Sequence, residues 1–371
     1  MPLNFRFAAI SDLHIGLPHT IWDNPSRFHL IEISIPALET ALKHLEQLDL
    51  DFLLLPGDLT QHGEAENHRW LQNRLAQLPF PVYVVPGNHD VPVLLPENPL
   101  IGWADFPHYY QPFGYQNPQQ HYYTCEVLPG VRLIGLNSNQ FNDQAKQVGR
   151  LDAAQLIWLE QVLADAQEEM VLVMVHHNVV EHLPGQSRHP LGSRYMLQNA
   201  PELLKILRSA GVQLVFTGHL HVQDIAENNG IWDITTGSLV SYPHPYRVFE
   251  VQTDNQGRKW LQVESHRIPS LPDWPNLKQV TRDWVGERSR PFMLKLLTLP
   301  PVNLSLAAAE AIAPSLHYFW ADLACGDNFF HFPDLPPAVR QHFESFSAIA
   351  PNGTVAALDN HIALLLSPSG L

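Results

Sequence analysis

Short apolar runs recur through the first two thirds of the chain and have the length of buried strands. Six of them occupy residues 5–10, 53–55, 81–86, 131–136, 170–175 and 212–217. Between several of these runs, apolar residues recur at three- and four-residue spacing, which is typical of the buried face of a helix. The predicted helices start near Pro36, at Glu64, after Asp152 and after Asn199, and Asp152 and Asn199 are the predicted N-caps of the last two. Strands that alternate with helices predict an α/β fold.

The rest of the chain is predicted to contain loops, further strands and a tail. Residues 92–123 and 181–195 show no clear period and are predicted as loops, whereas 231–236, 246–252 and 260–263 are predicted as strands that close a sheet. Pro, Asp and Trp then replace the strand pattern, so we place a boundary after residue 268. Residues 1–268 would form the main domain and 269–371 a C-terminal extension without a chemical motif. Whether that extension is a lid, a packing element or a contact between identical copies is left open.

Polar residues follow five of the six early strands. These sequences are Asp12-Leu13-His14, Gly57-Asp58, Gly87-Asn88-His89-Asp90, His176-His177 and Gly218-His219-Leu220-His221. Each one alone has an ordinary explanation, since Gly-Asp and Asn are common turn residues. Ligand sites in α/β sheets nevertheless gather at the carboxyl ends of strands. Asp12 and His14 lie two residues apart in extended chain and can converge on one point, and one of His176 and His177 is a candidate ligand.

Collected together, the strand ends supply oxygen and nitrogen donors and no sulfur. The seven candidate ligands are Asp12, His14, Asp58, Asn88, His176, His219 and His221. Such donors suit divalent Mn, Fe or Zn. Seven are more than one ion needs, which indicates two ions that share a bridging carboxylate.

Composition and charge argue against several kinds of binding partner and cellular location. The chain has 371 residues and a net charge of −15, so a broad electrostatic footprint for nucleic acid is not expected. Cys125 and Cys325 form no CxxC pair, which argues against a disulfide framework or a zinc knuckle. No secretory leader is recognised, and the apolar run 362–366 is too short to cross a bilayer. A cytoplasmic location without membrane contact is therefore expected.

The five strand-end blocks, in this order, resemble the calcineurin-like metallophosphoesterase superfamily over about the first 270 residues. The layout is most similar to class III cyclic-nucleotide phosphodiesterases and their glycerophosphodiesterase relatives. His89-Asp90 in place of His-Glu, the double histidine and the stretch 236–239 support that similarity. The resemblance implies a four-layer β-sandwich of two mixed sheets flanked by helices.

The resemblance also implies individual roles. Asp12, His14 and His221 would hold one metal, and Asn88, His176 and His219 the other. Asp58 would bridge the two ions, and His89 would contact the phosphate or protonate the leaving oxygen. The first histidine of the pair is the implied ligand because the family keeps that position.

The implied reaction is hydrolysis of a small phosphodiester, of the cyclic-nucleotide or glycerophosphodiester type, by a hydroxide that two divalent ions generate and orient toward phosphorus. A nuclease or a phosphomonoesterase of the same superfamily is the alternative, and a non-enzymatic scaffold is disfavoured because no ligand is missing. The candidate substrate contacts are Asn88, His89, His177, Arg188 and Arg194. One departure is Asn178, where close relatives usually continue with Pro.

Overall fold

The computed structural model describes residues 3–22, 24, 27–166, 170–348, 354 and 358–366. The strands are β1 (Phe5–Ala9), β2 (Phe52–Leu55), β3 (Val82–Val84), β4 (Tyr123–Leu128), β5 (Val131–Gly135), β6 (Asn139–Phe141), β7 (Gln147–Gly149), β8 (Met170–Met174), β9 (Leu214–Thr217), β10 (Asp224–Asn228), β11 (Ile231–Thr235), β12 (Pro245–Thr253), β13 (Lys259–Arg267) and β14 (His361–Leu366). The α-helices are α1 (Ser34–Leu45), α2 (Ala65–Leu75), α3 (Phe106–Tyr109), α4 (Ala153–Asp165), α5 (Ala200–Ser209), α6 (Leu277–Thr298), α7 (Leu306–Ile312), α8 (Phe319–Ala324) and α9 (Pro337–Glu344).

Two mixed six-stranded sheets form the centre of the molecule, which confirms the predicted α/β fold. The first sheet has the order β14-β13-β12-β1-β2-β3, and the second has the order β10-β11-β9-β8-β5-β4. Strands β1, β2 and β3 are parallel, as are β5, β8, β9 and β11. Parallel strands end at the same edge of a sheet, so each sheet brings several predicted ligand-bearing turns to one edge.

The sheets pack face to face through apolar side chains. Phe7 of β1 stacks on Phe52 and Phe249 within the first sheet, and its ring meets Phe216 of β9 edge-on at 5.4 Å. Alternate residues of the second sheet serve two cores, because successive side chains of a strand point to opposite faces. Leu133 belongs to the core between the sheets, whereas Ile134 packs with the outer helices α4 and α5. This packing fixes the ligand-bearing edge of one sheet relative to that of the other.

Three local predictions are wrong. Residues 92–123 are not only a loop, because they contain the short helix α3. Phe106 in α3 and Tyr110 directly after it are both buried, which gives the segment an apolar contact within itself. The strands β11, β12 and β13 do not close one sheet, because β11 pairs with β9 while β12 pairs antiparallel with β1. Helix α5 begins after Asn199 as predicted, but the side chain of Asn199 bonds to the backbone of Leu151 instead of capping the helix. Asp152 does cap α4, accepting from the backbone N–H of Gln155 at 2.7 Å.

The C-terminal extension forms a helical unit with a core of its own. Leu297, Phe319 and Phe343 are buried there, and α6 to α9 surround them. Strand β14 then returns to the first sheet and pairs antiparallel with β13. No helix among the described residues is long and apolar enough to span a membrane. The boundary at residue 268 stays a prediction, although the chain beyond it contributes both a separate core and an edge strand.

Candidate metal centre

The turns after β1, β2, β3, β8 and β9 converge on one place. Two groups of side chains bring their potential ligand atoms within 4.8 Å of one another. The first group is Asp12, His14, Asp58 and His221, and the second is Asp58, His176 and His219. Asn88 lies beside the second group. The structure therefore brings all seven predicted ligands together, and Asp58 belongs to both groups.

The backbone at these turns adopts a conformation that most residues avoid. Asp12, His14, Asp58, His219 and His221 all have positive φ angles, between 43° and 67°. A left-handed conformation costs a non-glycine residue free energy, and such strain is concentrated at functional sites. The adjacent turns are also crowded, since a Cβ atom on Gly87 would collide with Asp58 and one on Gly218 would collide with Asp12. The glycines of the motifs thus permit the close approach of the neighbouring carboxylates.

The first group brings nitrogen and oxygen atoms that can bind a metal close together. His221 Nε2 lies 3.0 Å from Asp12 Oδ1, and His14 Nε2 lies 3.4 Å from His221 Nε2. His14 Nε2 is also 3.8 Å from Asp58 Oδ2. Burial and the neighbouring histidines lower the pKa of His14 well below its usual value, so this imidazole is neutral at neutral pH. Imidazoles and carboxylates this close together form a suitable ligand set for a divalent cation.

The second group is oriented by hydrogen bonds to backbone carbonyls. His176 donates from Nδ1 to Pro56 O at 2.8 Å, which leaves Nε2 at 3.3 Å from Asn88 Oδ1 and 3.4 Å from Asp58 Oδ2. His219 donates from Nε2 to Arg194 O at 3.3 Å, so Nδ1 is its free ligand atom. Carbonyl partners of this kind orient metal-binding imidazoles.

Neighbouring histidines hold Asp58 in its ionised form. Burial raises the pKa of Asp58, but His176 and His89 outweigh that effect and hold it well below its usual value. Burial lowers the pKa of His176, yet Asp58 raises it to about 9 overall. The donor set of carboxylate oxygen, amide oxygen and imidazole nitrogen fits two divalent ions that share Asp58, and it accepts several metals. The clusters are thus consistent with a dimetal centre.

The predicted substrate contacts are only partly brought together. Asn88, His89, His177 and Arg194 line a cavity of about 390 Å³ over the two clusters. His89 donates from Nδ1 to Gln61 O at 2.7 Å, which leaves Nε2 for the substrate. Arg188 is separated from this group and lines a neighbouring cavity instead. The position of His177 is set by a 2.8 Å hydrogen bond between its Nδ1 and Ser138 Oγ.

Several residues that lie at the site were not predicted from the sequence. His29 stacks on His14 at 4.1 Å and forms a third candidate ligand group with His14 and His221. It follows no strand, so no sequence signal pointed to it. Asn139 and Gln147 support the turn after β3, and Gln147 Nε2 donates to Asn88 O at 2.6 Å. Asn139 lies shortly after β5, so the strand-end rule applied to that strand could have found it.

Comparisons with known proteins agree with this geometry. Residues 5–223 match the family model described as calcineurin-like phosphoesterase. The chain is 26% identical over 276 residues to a probable cyclic nucleotide phosphodiesterase of Synechococcus sp., covering 71% of this chain and 95% of that protein. It is 27% identical over 185 residues to the probable glycerophosphodiester phosphodiesterase GpdQ of Arcobacter nitrofigilis, covering 48% of this chain and 60% of that protein. A dimetal phosphatase from Danio rerio has a similar fold, with a TM-score of 0.53 at 18% identity, covering 71% of this chain and 96% of that chain.

Proposed function

Because the chain belongs to the calcineurin-like phosphoesterase family, we propose that it is a two-metal phosphodiesterase that hydrolyses a small phosphodiester. The observation that carries this proposal is the position of Asp58 in both ligand groups. Two divalent ions, Mn, Fe or Zn, would lower the pKa of a shared water and neutralise charge that develops on the phosphoryl oxygens. Asp12, His14 and His221 would hold one ion, Asn88, His176 and His219 the other, and Asp58 both.

His89 is the candidate general acid. Its backbone N–H donates to Asp58 Oδ1 at 2.8 Å, and its Nδ1 donates to a carbonyl, so the ring is held at the cavity wall with Nε2 directed away from that carbonyl. A protonated Nε2 would give its proton to the leaving oxygen as the P–O bond breaks. Asp90 supports the turn by accepting from the backbone N–H groups of Gly87 and Thr60, each at 2.8 Å.

Beyond the two proposed ions, the side chains that line the cavity supply little positive charge, and this favours a diester over a monoester. Arg194 is the only Lys or Arg among the described residues that line the cavity. A diester carries one negative charge, whereas a phosphate monoester carries about 1.5 to 2 at neutral pH and would need more compensation. The names of the two relatives, a cyclic nucleotide phosphodiesterase and a glycerophosphodiester phosphodiesterase, also support a diester substrate.

The test compares a diester with a monoester on the same sample. Protein loaded with Mn is assayed on bis(p-nitrophenyl) phosphate and on p-nitrophenyl phosphate, with metal content measured before and after chelation. We expect a higher kcat/KM for the diester and loss of activity with the metal. Faster turnover of the monoester would replace the proposal with a phosphomonoesterase, and faster cleavage of single-stranded or duplex DNA would replace it with a nuclease.

A further inference from the structure

A second cavity opens beside the metal centre. Its volume is about 510 Å³, and it lies between the loop 181–195 and the C-terminal helices. Tyr195, Phe292 and Trp320 line both this cavity and the one over the metal ligands. The ring of Tyr195 is 5.0 Å from the ring of His219, and Phe292 meets Trp320 edge-on at 4.9 Å. The two cavities are therefore adjacent and share these three aromatic side chains in their linings.

The walls of the second cavity are mostly apolar. Leu183 and Leu191 come from the loop, and Leu296 and Phe346 from the C-terminal unit, where they pack into one hydrophobic cluster. No Asp or Glu is among the described lining residues, and Arg188 is the only Lys or Arg. A wall of this kind favours an uncharged apolar group over a second anion.

Two neutral histidines add polarity without adding charge. Burial lowers the pKa of His189, and burial together with His189 lowers that of His342. His189 Nδ1 accepts from the backbone N–H of Leu191 at 3.1 Å, so its buried Nε2 carries the proton. Within the described part of the chain, this Nε2 has no hydrogen-bond partner. Arg188 therefore remains the only charged side chain among the described lining residues.

The loop that forms one wall is held in place by buried polar contacts. Asn178 accepts from Gln186 Nε2 at 3.3 Å, and its backbone N–H donates to Tyr195 O at 3.0 Å. His182 pairs with Asp224 at 2.6 Å and with Asp233 at 3.3 Å. Because these contacts lie at both ends of the loop, the cavity is largely formed before any ligand binds, and little ordering free energy is lost on binding.

We propose that the second cavity binds an uncharged apolar substituent, alkyl or aryl, of the phosphodiester whose phosphate lies at the metal centre. This inference rests on the proposed function and adds a substrate class to it: diesters with one bulky apolar substituent. The family match ends at residue 223, so the helical residues Phe292, Leu296 and Trp320 lie outside it. The C-terminal extension thus gives the shared catalytic core a binding site for part of the substrate.

The first experiment varies only the substituent. The metal-loaded protein is assayed on p-nitrophenyl phosphodiesters whose second ester group is methyl, hexyl or phenyl, all with the same leaving group. Burial of one methylene group raises the equilibrium constant for transfer out of water by up to about fourfold. We therefore expect kcat/KM for the hexyl ester to exceed that of the methyl ester by at least about tenfold. A greater gain for phenyl than for hexyl would identify the substituent as aryl, and the reverse as alkyl. Equal kcat/KM for all three esters would overturn the inference.

The second experiment fills or polarises the cavity. Leu191→Trp occupies the space and Leu183→Asn makes the wall polar, and each should reduce the hexyl-to-methyl ratio of kcat/KM to below about threefold. Leu306→Trp is the matched control, because Leu306 is 60% exposed on α7 and lines neither cavity. Circular dichroism checks that each variant is folded, and a single folded cavity variant is enough for the test. An unchanged ratio in a folded cavity variant contradicts the inference. No hydrolysis of any diester by the wild type contradicts the proposed function instead.

Discussion

The two adjacent cavities are built in different ways. The cavity at the metal centre is lined by many polar side chains, several of which follow strands, and five candidate ligands at this centre have positive φ angles. The second cavity is lined by apolar side chains from a loop and from helices more than 90 residues further along the chain. In the cavity at the metal centre, backbone geometry sets the position of each functional atom. In the second cavity, packing sets only the shape of the space. We therefore expect single substitutions to have much larger effects at the metal centre.

The largest effect is expected for Asp58→Asn. This change removes the carboxylate charge that both ligand groups share while preserving side-chain size. Two ions contribute several kcal/mol of transition-state stabilisation, so kcat/KM on a diester should fall on the order of 10³-fold or more. Metal analysis by mass spectrometry should show the loss of at least one ion per chain.

The matched control is Asp143→Asn, an exposed carboxylate that lines neither cavity. It should retain the metal content and activity of the wild type. If Asp58→Asn also kept its full metal content, Asp58 could not be the bridge. The ligand groups would then have to be assigned to independent ions.

The second effect in size is expected for His89→Gln, which keeps a polar side chain at the cavity but removes the proposed acid. Loss of general acid catalysis typically costs about 10²- to 10⁴-fold. The loss should be large for a diester with an alkyl leaving group and small for p-nitrophenolate, which leaves without a proton. Metal content should not change, and this separates the role of His89 from that of Asp58.

His108→Gln is the control for this experiment, since His108 is exposed on α3. A loss of equal size for both leaving groups would contradict the role of His89 as an acid. It would indicate instead that His89 positions the phosphate.

The sequence predicted much of the cavity at the metal centre and nothing of the second cavity. Asp12 and His14 were predicted to converge because residues two apart in extended chain face the same way, but β1 ends at Ala9 and both residues have positive φ angles, so the turn after the strand brings them together. Asp58 was assigned as the bridge only through the family resemblance, and its membership of both ligand groups agrees with that prediction. His29 could not be identified, because its contact with His14 depends on tertiary packing between a loop and a strand end. The second cavity had no signal at all: apolar residues such as Leu183 and Phe346 give the same pattern whether they fill a core or line a cavity.

A third prediction concerns the loop 181–195, which His182 anchors through its ion pairs with Asp224 and Asp233. Burial lowers the pKa of His182, but Asp233 and Asp224 raise it to about 10 overall. A raised pKa means that the folded protein binds a proton that the unfolded chain releases above about pH 6.5. This stabilisation is fully present below pH 6.5 and is lost as the pH rises through 10, with a slope of about 1.4 kcal/mol per pH unit between those limits.

His182→Gln should remove that slope and lower the free energy of unfolding by about 3 kcal/mol near pH 7, because Asp233 is left buried without its cation. Urea unfolding from pH 6 to pH 9.5 measures both quantities. His19→Gln is the control, since His19 forms a pair with Glu66 that is exposed to solvent. Parallel stability curves for the wild type and His182→Gln would show that His182 is not charged in the folded protein.

The smallest effect is expected for Arg194, whose side chain is exposed where the loop meets the cavity over the metal ligands. Arg194→Gln removes one cation near the phosphate but keeps the backbone carbonyl that orients His219. An exposed charge contributes up to about 1 kcal/mol, so KM should rise about two- to fivefold with little change in kcat. Since ions screen exposed charges, the difference should shrink as ionic strength increases. Arg208→Gln makes the same charge change on α5 and should leave KM unaltered. A large fall in kcat for Arg194→Gln would mean that this side chain acts on the transition state. The loop would then contribute to catalysis itself, and the difference between the metal ligands and the binding surface around them would not hold there.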